Sequence, residues 1–295
     1  MKILHRLHRD GVIQPPKWLL NSIHMLVQMG SEAYAVSSNE SDIDVYGFCV
    51  PPRYIVFPNE NQVILGFDKD YLKFDQWQQH HCVDKSSQKE YDFQIFNIVK
   101  YFRLLTDNNP NVLDSLFVPR RCVLHSTSLG EHVREHRKEF LHKGAYHKLK
   151  GYAYSQFSKI ENKTNASNPK RMATIEEHGY DTKFAYHVVR LIAECQQILM
   201  EHDLDLERNR EILKSIRRGE WSFERLEEYF HVQERTLEEM YSNSTLREKP
   251  DEPRIKQLLL ECLEMAYGSI DRAYKEDQSK EKLIMDIENV LGKYR

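Results

Sequence analysis

The stretch from Met29 to Phe48 reads MGSEAYAVSSNESDIDVYGF, and two parts of it set the chemistry: Gly30-Ser31 at its start and Asp42-Ile43-Asp44 near its end. If Asp42 to Val50 is a strand, its side chains alternate, so Asp42 and Asp44 share one face while Ile43 and Val45 point into the core. Carboxylates about 5–7 Å apart along a strand repel unless a cation lies between them, and hard divalent ions with oxygen ligands are the usual answer. Gly30 lets the backbone approach a ligand closely, and the Ser31 hydroxyl with neighbouring N–H groups can hold a phosphate. Asp-x-Asp alone is a weak signal. The glycine turn and the apolar runs on either side give it a context.

Working outward, Ile23 to Met29 is expected to be the strand entering the turn, and Pro51-Pro52 stops the strand that leaves it. Pro15-Pro16 followed by Lys17 to Ile23 reads as a short helix with proline in its first turn. Arg53 to Gly66 is mixed and loop-like, and Gln76 to Glu90 is a long polar connection carrying His80-His81-Cys82. Tyr91 to Phe96 alternates, with Phe93 and Ile95 against Asp92 and Gln94, which predicts a third strand whose polar face meets the first two aspartates. Asn97 to Thr106 turns helical, Asn108-Asn109-Pro110 breaks it, and Val112 begins another helix or turn.

From Leu129 onward the period is helical, which puts a boundary near residue 125 and predicts a catalytic domain over 1–125 and a helical domain over 126–295. The candidate helices are Leu129–Lys143, Tyr146–Asn162, Asp181–His202, Asp205–Arg218, Ser222–Tyr241, Pro253–Gly268 and a charged tail from Asp271 to Arg295, with Glu161 to Tyr180 as a polar loop. The expected fold class is α+β, a small mixed sheet followed by an all-helical part.

A length of 295 residues suits two domains, and 29% charged with 40% hydrophobic residues describes an ordinary globular chain. No run of about 18 apolar residues predicts a membrane span, and no signal-peptide core opens the sequence, so the expectation is a cytoplasmic protein without a membrane partner. Five scattered cysteines without CxxC spacing argue against a disulfide framework and a zinc cluster. His132-Val133-Arg134-Glu135-His136 has the H-x-x-E-H form of an inverted zincin, yet its helix is charged nearly all round and offers no buried wall for a metal. The net charge is −3, but its distribution is uneven. Arg134 to Arg171 holds ten Lys/Arg against three Asp/Glu, interleaved with Tyr146, Tyr152, Tyr154 and Phe157, whereas Glu201 to Glu252 holds nine against fifteen. A basic stretch carrying aromatics suits a nucleic-acid backbone and unstacked bases.

Gly30-Ser31-x-Ala33-Tyr34, Ser41-Asp42-x-Asp44-Val45-x-Gly47 and Val50-Pro51-Pro52 resemble the signature of the polymerase-β nucleotidyltransferase superfamily, in the branch named for RNA-repair pathways. Lys100-Tyr101-Phe102-Arg103-Leu104 to Asn109-Pro110-x-Val112-Leu113 is similar to the same branch, and it sets Asp92 where the superfamily has its third carboxylate. Glu90 is the competitor if the strand shifts by two. Tyr180 to Leu191 looks like the family's second-domain helix, on which Lys183, His187 and Arg190 fall at i, i+4 and i+7. Such a cationic stripe could grip a triphosphate.

The resemblance implies a catalytic trio of Asp42, Asp44 and Asp92, which also bind metal, and a nucleotide site of Gly30, Ser31, Lys183, His187 and Arg190. It implies two Mg2+ ions, with Mn2+ as a substitute, and transfer of a nucleoside monophosphate from a nucleoside triphosphate such as ATP to a hydroxyl. The expected acceptor is the 3′ end of an RNA, for instance a transfer RNA. The alternative is adenylylation of a protein or small molecule.

Overall fold

The computed structural model describes residues 1–37, 42–57, 74–162 and 169–268. Its centre is a five-stranded mixed sheet in the order β3-β4-β2-β1-β5. The strands are β1 (Ile23–Gln28), β2 (Ile43–Cys49), β3 (Gln76–Val83), β4 (Glu90–Asn97) and β5 (Val123–Ser126). β1 pairs antiparallel with β2 and β5, β2 pairs parallel with β4, and β3 closes the edge antiparallel to β4.

Alternation divides the sheet into two buried faces. Leu26, Val45, Cys49, Phe93 and Ile95 point to one side, where α1 (Lys2–Arg9) with Leu4 and Leu7, and a single helical turn at Leu19–Asn21, cover them. Met25, Val27, Phe48 and Phe96 point to the other side and join a larger core with α3 (Ile98–Thr106), α4 (Pro110–Phe117) and the later helices. Asp44 and Asp92 belong by register to this second face. The carboxylates therefore look toward the helices.

The helices continue as α5 (Ser128–Glu135), α6 (Gly144–Glu161), α7 (Pro169–His178), α8 (Thr182–Glu201), α9 (Arg210–Arg217), α10 (Phe223–Asn243) and α11 (Glu252–Tyr267), after a four-residue α2 (Arg53–Val56) near the sheet. Their starts follow the local chemistry. Asn97, Asn109, Asp181, Ser222 and Asp251 each accept a backbone N–H of the following first turn. The central helix is α8, buried along most of its length against α6, α9 and α10. Because Met25, Phe48 and Phe96 share one buried cluster with Leu191 and Leu258, the sheet and the helices close on a continuous core.

Four expectations need correction. The stretch after Pro15-Pro16 is too short for a helix and forms the single turn at Leu19–Asn21 before β1. The polar Gln76–Val83 segment is an edge strand. A bulge between Gln79 and Cys82, with His81 at φ 56°, interrupts the alternation that would have marked it. α7 lies inside the expected Glu161–Tyr180 loop, and it buries so little that no apolar stripe shows in its sequence. The Leu129–Lys143 helix stops at Glu135 and passes into a 3-10 turn over Arg137–Phe140. The tail from Asp271 lies outside the described residues, as does much of the Arg53–Gly66 stretch.

A buried polar cluster ties the Gly-Ser turn to α4 and α8. Tyr34 Oη donates to Asp114 Oδ2 at 2.5 Å, and Arg190 Nη1 donates to the same oxygen at 2.8 Å and to the tyrosine hydroxyl. Glu194, one turn along α8, lies 3.4 Å from Arg190 Nη1. Burial raises the carboxyls of both Asp114 and Glu194, the latter well above its usual range, so one guanidinium faces two buried acids whose charged forms are disfavoured. Replacing Arg190 by Leu leaves Asp114 buried without its cation, and breaking a buried pair in this way costs about 3–5 kcal/mol. Urea unfolding should show a clearly lower midpoint for Arg190→Leu and a much smaller change for Glu194→Gln, which keeps the shape of a side chain whose charged form burial disfavours.

Candidate active site

β1 ends at Gln28, and the chain turns through Gly30–Glu32 in a 3-10 geometry. Gly30 has φ +63°, a region that disfavours side chains, and a Cβ there would overlap Asp44 Oδ2. Two constraints thus act on one residue: only glycine allows both the turn and the carboxylate beside it. The turn is clamped from several directions. Met29 N–H donates to the Asp44 carbonyl at 2.7 Å, Arg121 donates to the Glu32 carbonyl at 2.8 Å, and Arg217 donates to the Val36 carbonyl at 3.1 Å. The Ser31 carbonyl accepts from Val36 N–H at 2.9 Å, while its half-buried hydroxyl engages no other described residue.

Asp44 and Asp92 are direct partners in the parallel β2–β4 register. Parallel pairing sets their side chains on the same face of adjacent strands. Asp42 precedes β2 and is exposed, and Asp44 senses its charge. Burial is the main reason that the Asp44 carboxyl is raised above its ordinary range. The Asp92 charge adds to the shift, while Lys183 on α8 opposes it. Tyr46, two residues along the same face, is pushed up to about 12 by burial and by Asp44, so its hydroxyl stays protonated.

The edge strand supplies contacts to Asp92 that the sequence reading did not foresee. His81 N–H donates to Asp92 Oδ1 at 2.8 Å, and His80 Nδ1 lies 3.6 Å from Oδ2. His81 Nδ1 pairs with Glu90. The ligand atoms of His81, Glu90 and Asp92 all fall within 4.8 Å of one another. His80-His81 thus flanks the third carboxylate instead of lying in a remote loop. The signal in the sequence is its place one hairpin before Asp92.

The α8 stripe divides. Lys183 is exposed and close enough for Asp44 to feel its charge. His187 is half-buried, its Nδ1 has no partner among the described residues, and burial with nearby Arg190 and Lys183 holds the ring neutral. Arg190 is 4% exposed and bound to Asp114 and Tyr34, so the expected three-residue cationic stripe does not form. Arg190 braces the turn from behind, because α8 sits among the other helices with this side chain turned inward onto Tyr34 and Asp114.

Among the described residues the H-x-x-E-H helix holds no zincin site. His132 Nε2 lies 3.1 Å from Glu261, and His136 Nδ1 lies 2.8 Å from the His132 carbonyl. The five cysteines are buried and free. No described helix is long and apolar enough to cross a membrane.

The model of the RlaP family, the RNA repair pathway DNA polymerase beta family, matches residues 21–261, from before β1 into α11. The chain belongs to that family. The mixed sheet followed by helices agrees with that assignment. An uncharacterized 38.9 kDa protein of the nrdC-mobD intergenic region of Enterobacteria phage T4 is 25% identical over 132 residues, 44% of this chain and 36% of that protein. The chain thus aligns with little more than a third of this curated relative's length. A nucleotidyltransferase-like protein from Exiguobacterium sibiricum 255-15 covers 81% of this chain and 73% of its own at 8% identity and a TM-score of 0.27, too distant to carry weight.

The electrostatics make a signed forecast for the metal-free protein. The Asp44 pKa is higher folded than unfolded, so ionising it costs folding stability once the pH rises above the unfolded value near 3.9, and the full penalty is present above the folded value. Asp44→Asn removes that penalty. Its thermal midpoint should exceed the parent's at pH 7, and the difference should vanish as the pH falls to about 3.5. Equal midpoints at every pH would show that Asp44 is not destabilised by its surroundings.

Proposed function

We propose that this polymerase-β-family protein transfers a nucleoside monophosphate from a nucleoside triphosphate to a hydroxyl at the 3′ end of an RNA, with two magnesium ions. The observation that carries the reading is the Asp44–Asp92 register pair, set beside the Gly30 turn on the sheet face that meets α8. The donor set is all oxygen, and a half-buried carboxylate whose pKa stays raised despite nearby Lys183 marks a site with less positive charge than its three acids call for. Those features fit Mg2+, or Mn2+ in its place, held by Asp42, Asp44 and Asp92. When bound there, magnesium supplies a lowered pKa for the attacking hydroxyl and neutralises charge on the departing pyrophosphate.

The chain's own groups would do the rest. Backbone N–H groups at Gly30-Ser31 and the unengaged Ser31 hydroxyl face the phosphates, and Lys183 approaches from α8. Neutral His187 can donate or accept one hydrogen bond at the same end. Asp92, about one-quarter exposed and steadied by the His81 N–H, is the acceptor for the proton that leaves the attacking hydroxyl. The oxygen then bonds to the α-phosphorus as the bond to the bridging oxygen breaks and pyrophosphate departs.

One observation favours a second reading, adenylylation of a protein or small molecule. Part of the basic stretch is neutralised internally: Lys150 pairs with Glu234 and Glu238, and Lys143 with Glu248. Incubation with triphosphates labelled at the α-phosphate, magnesium, and total RNA or protein separates the two. Label removed by ribonuclease supports the RNA acceptor, and label retained on polypeptide or in the low-mass fraction supports the other. Asp42→Asn and Asp44→Asn should each abolish labelling, and full activity in either would sink the carboxylate assignment. Ser31→Ala should slow transfer by about 10- to 100-fold, since it deletes one donor from a set that includes backbone groups. Gly30→Val should do worse.

A further inference from the structure

A groove of about 420 Å³ opens between the α3–α4 turn and α6, with Asp107, Asn109 and Asn111 on one wall and Lys148 and Tyr152 on the other. That volume is within the range of small-molecule sites. Lys148 and Tyr152 stand one helical turn apart on one side of α6. Lys148 is exposed and makes no ion pair among the described residues, unlike Lys143 and Lys150. The Asn109 side-chain Oδ1 accepts from Val112 N–H at 3.2 Å, which leaves its NH2 group to donate, and Asn111 is exposed beside it.

One wall of the groove neighbours Tyr46, which shares the sheet face of Asp44. Tyr152 packs partly against the main core and lies near enough to Tyr46 to influence its hydroxyl, which also feels Asp44 and Asp92. Farther along α6, Lys159 Nζ sits 5.6 Å over the Phe184 ring, next to Lys183. Lys148 and Lys159 are eleven residues apart, roughly 16 Å along the helix. α6 therefore runs from the Lys183 end to the groove.

We propose that this groove receives the terminal nucleoside of the acceptor RNA strand, with its base against Tyr152, its phosphodiester at Lys148 and its ribose or base edge at Asn109 and Asn111. The assignment rests on the nucleotidyl-transfer reading for its chemistry. In-line displacement sets the attacking hydroxyl and the leaving pyrophosphate on opposite sides of the α-phosphorus. With the triphosphate at the Gly30 and Lys183 end, the attacking side is the groove side. Charge agrees: one free lysine faced by Asp107 suits a single phosphodiester and not a triphosphate. An aromatic ring with a neighbouring cation is the usual platform for an unpaired base.

The test is equilibrium binding, which does not require turnover. A fluorescent 12-nucleotide single-stranded RNA with a free 3′ hydroxyl is titrated with the full chain by anisotropy, and ATP binding is measured separately by calorimetry. Tyr152→Ala should weaken RNA binding about tenfold, Tyr152→Phe should retain it, and both should bind ATP as the parent does. Lys148→Ala should reduce the log–log salt slope for RNA by about 0.7, one phosphate contact. If Tyr152→Ala weakens ATP and leaves RNA unchanged, the groove holds the incoming nucleoside and the proposal falls. It also falls if the parent does not bind the RNA, or if neither affinity moves. Failure of nucleotidyl transfer itself reads differently: the parent then gives no labelled product on any acceptor, whatever the anisotropy shows.

Discussion

The contact on which the site depends is the sharing of Asp114 by Tyr34 and Arg190. Tyr34 lies four residues after Gly30, Asp114 is on α4, and Arg190 is on α8, so one buried oxygen joins the turn to both helices. Hydrogen bonds to a buried carboxylate are among the strong ones, because an unmet partner there has no water to turn to. With Arg121 and Arg217 holding carbonyls at Glu32 and Val36, the turn is fixed by groups from distant parts of the chain. The phosphate-binding role proposed for the turn needs such support. Its backbone N–H groups act only if they are already oriented when the ligand arrives.

This arrangement also explains the unequal fates of the α8 cations. α8 is buried along most of its length, and a stripe at i, i+4 and i+7 keeps to one face while it climbs nearly two turns, about 10 Å, along the axis. Lys183, at the helix start, stays exposed near Asp44, while Arg190 has moved inside the core. The spacing that suggested one surface instead spans the border between site and interior. Arginine is suited to that inner position, since its planar fork bonds Tyr34 and Asp114 at once and its charge is hard to remove.

The carboxylates show the opposite balance. Asp44 is strained in the metal-free protein by burial and by Asp92, and the fold keeps it because Gly30 leaves room for it and Met29 N–H holds its carbonyl. Asp92 rests on the bulged edge strand, where His81 in a left-handed conformation turns its N–H onto the carboxylate. Stability is given up at the corner where Asp44 and Asp92 meet.

The sequence by itself determined the elements whose patterns are local. β1, β2 and β4 were legible from alternation and punctuation, and α3, α6, α8, α10 and α11 from apolar period and capping residues. The adjacency of Asp44 and Asp92 followed from placing two alternating strands with their polar faces together. Only the tertiary structure decided the rest. β3 sends only Trp77 and Cys82 into the core, with a bulge between them, and α7 is polar because it buries little, so neither has a period to read. Whether Lys150 greets a ligand or Glu234 depended on α10 packing beside α6, and whether Arg190 faces a phosphate or Asp114 depended on α8 crossing beneath the turn. The physical reason is common to these cases: a periodic pattern says which side of an element is apolar, but the partner of a charge is set by residues far away in the chain.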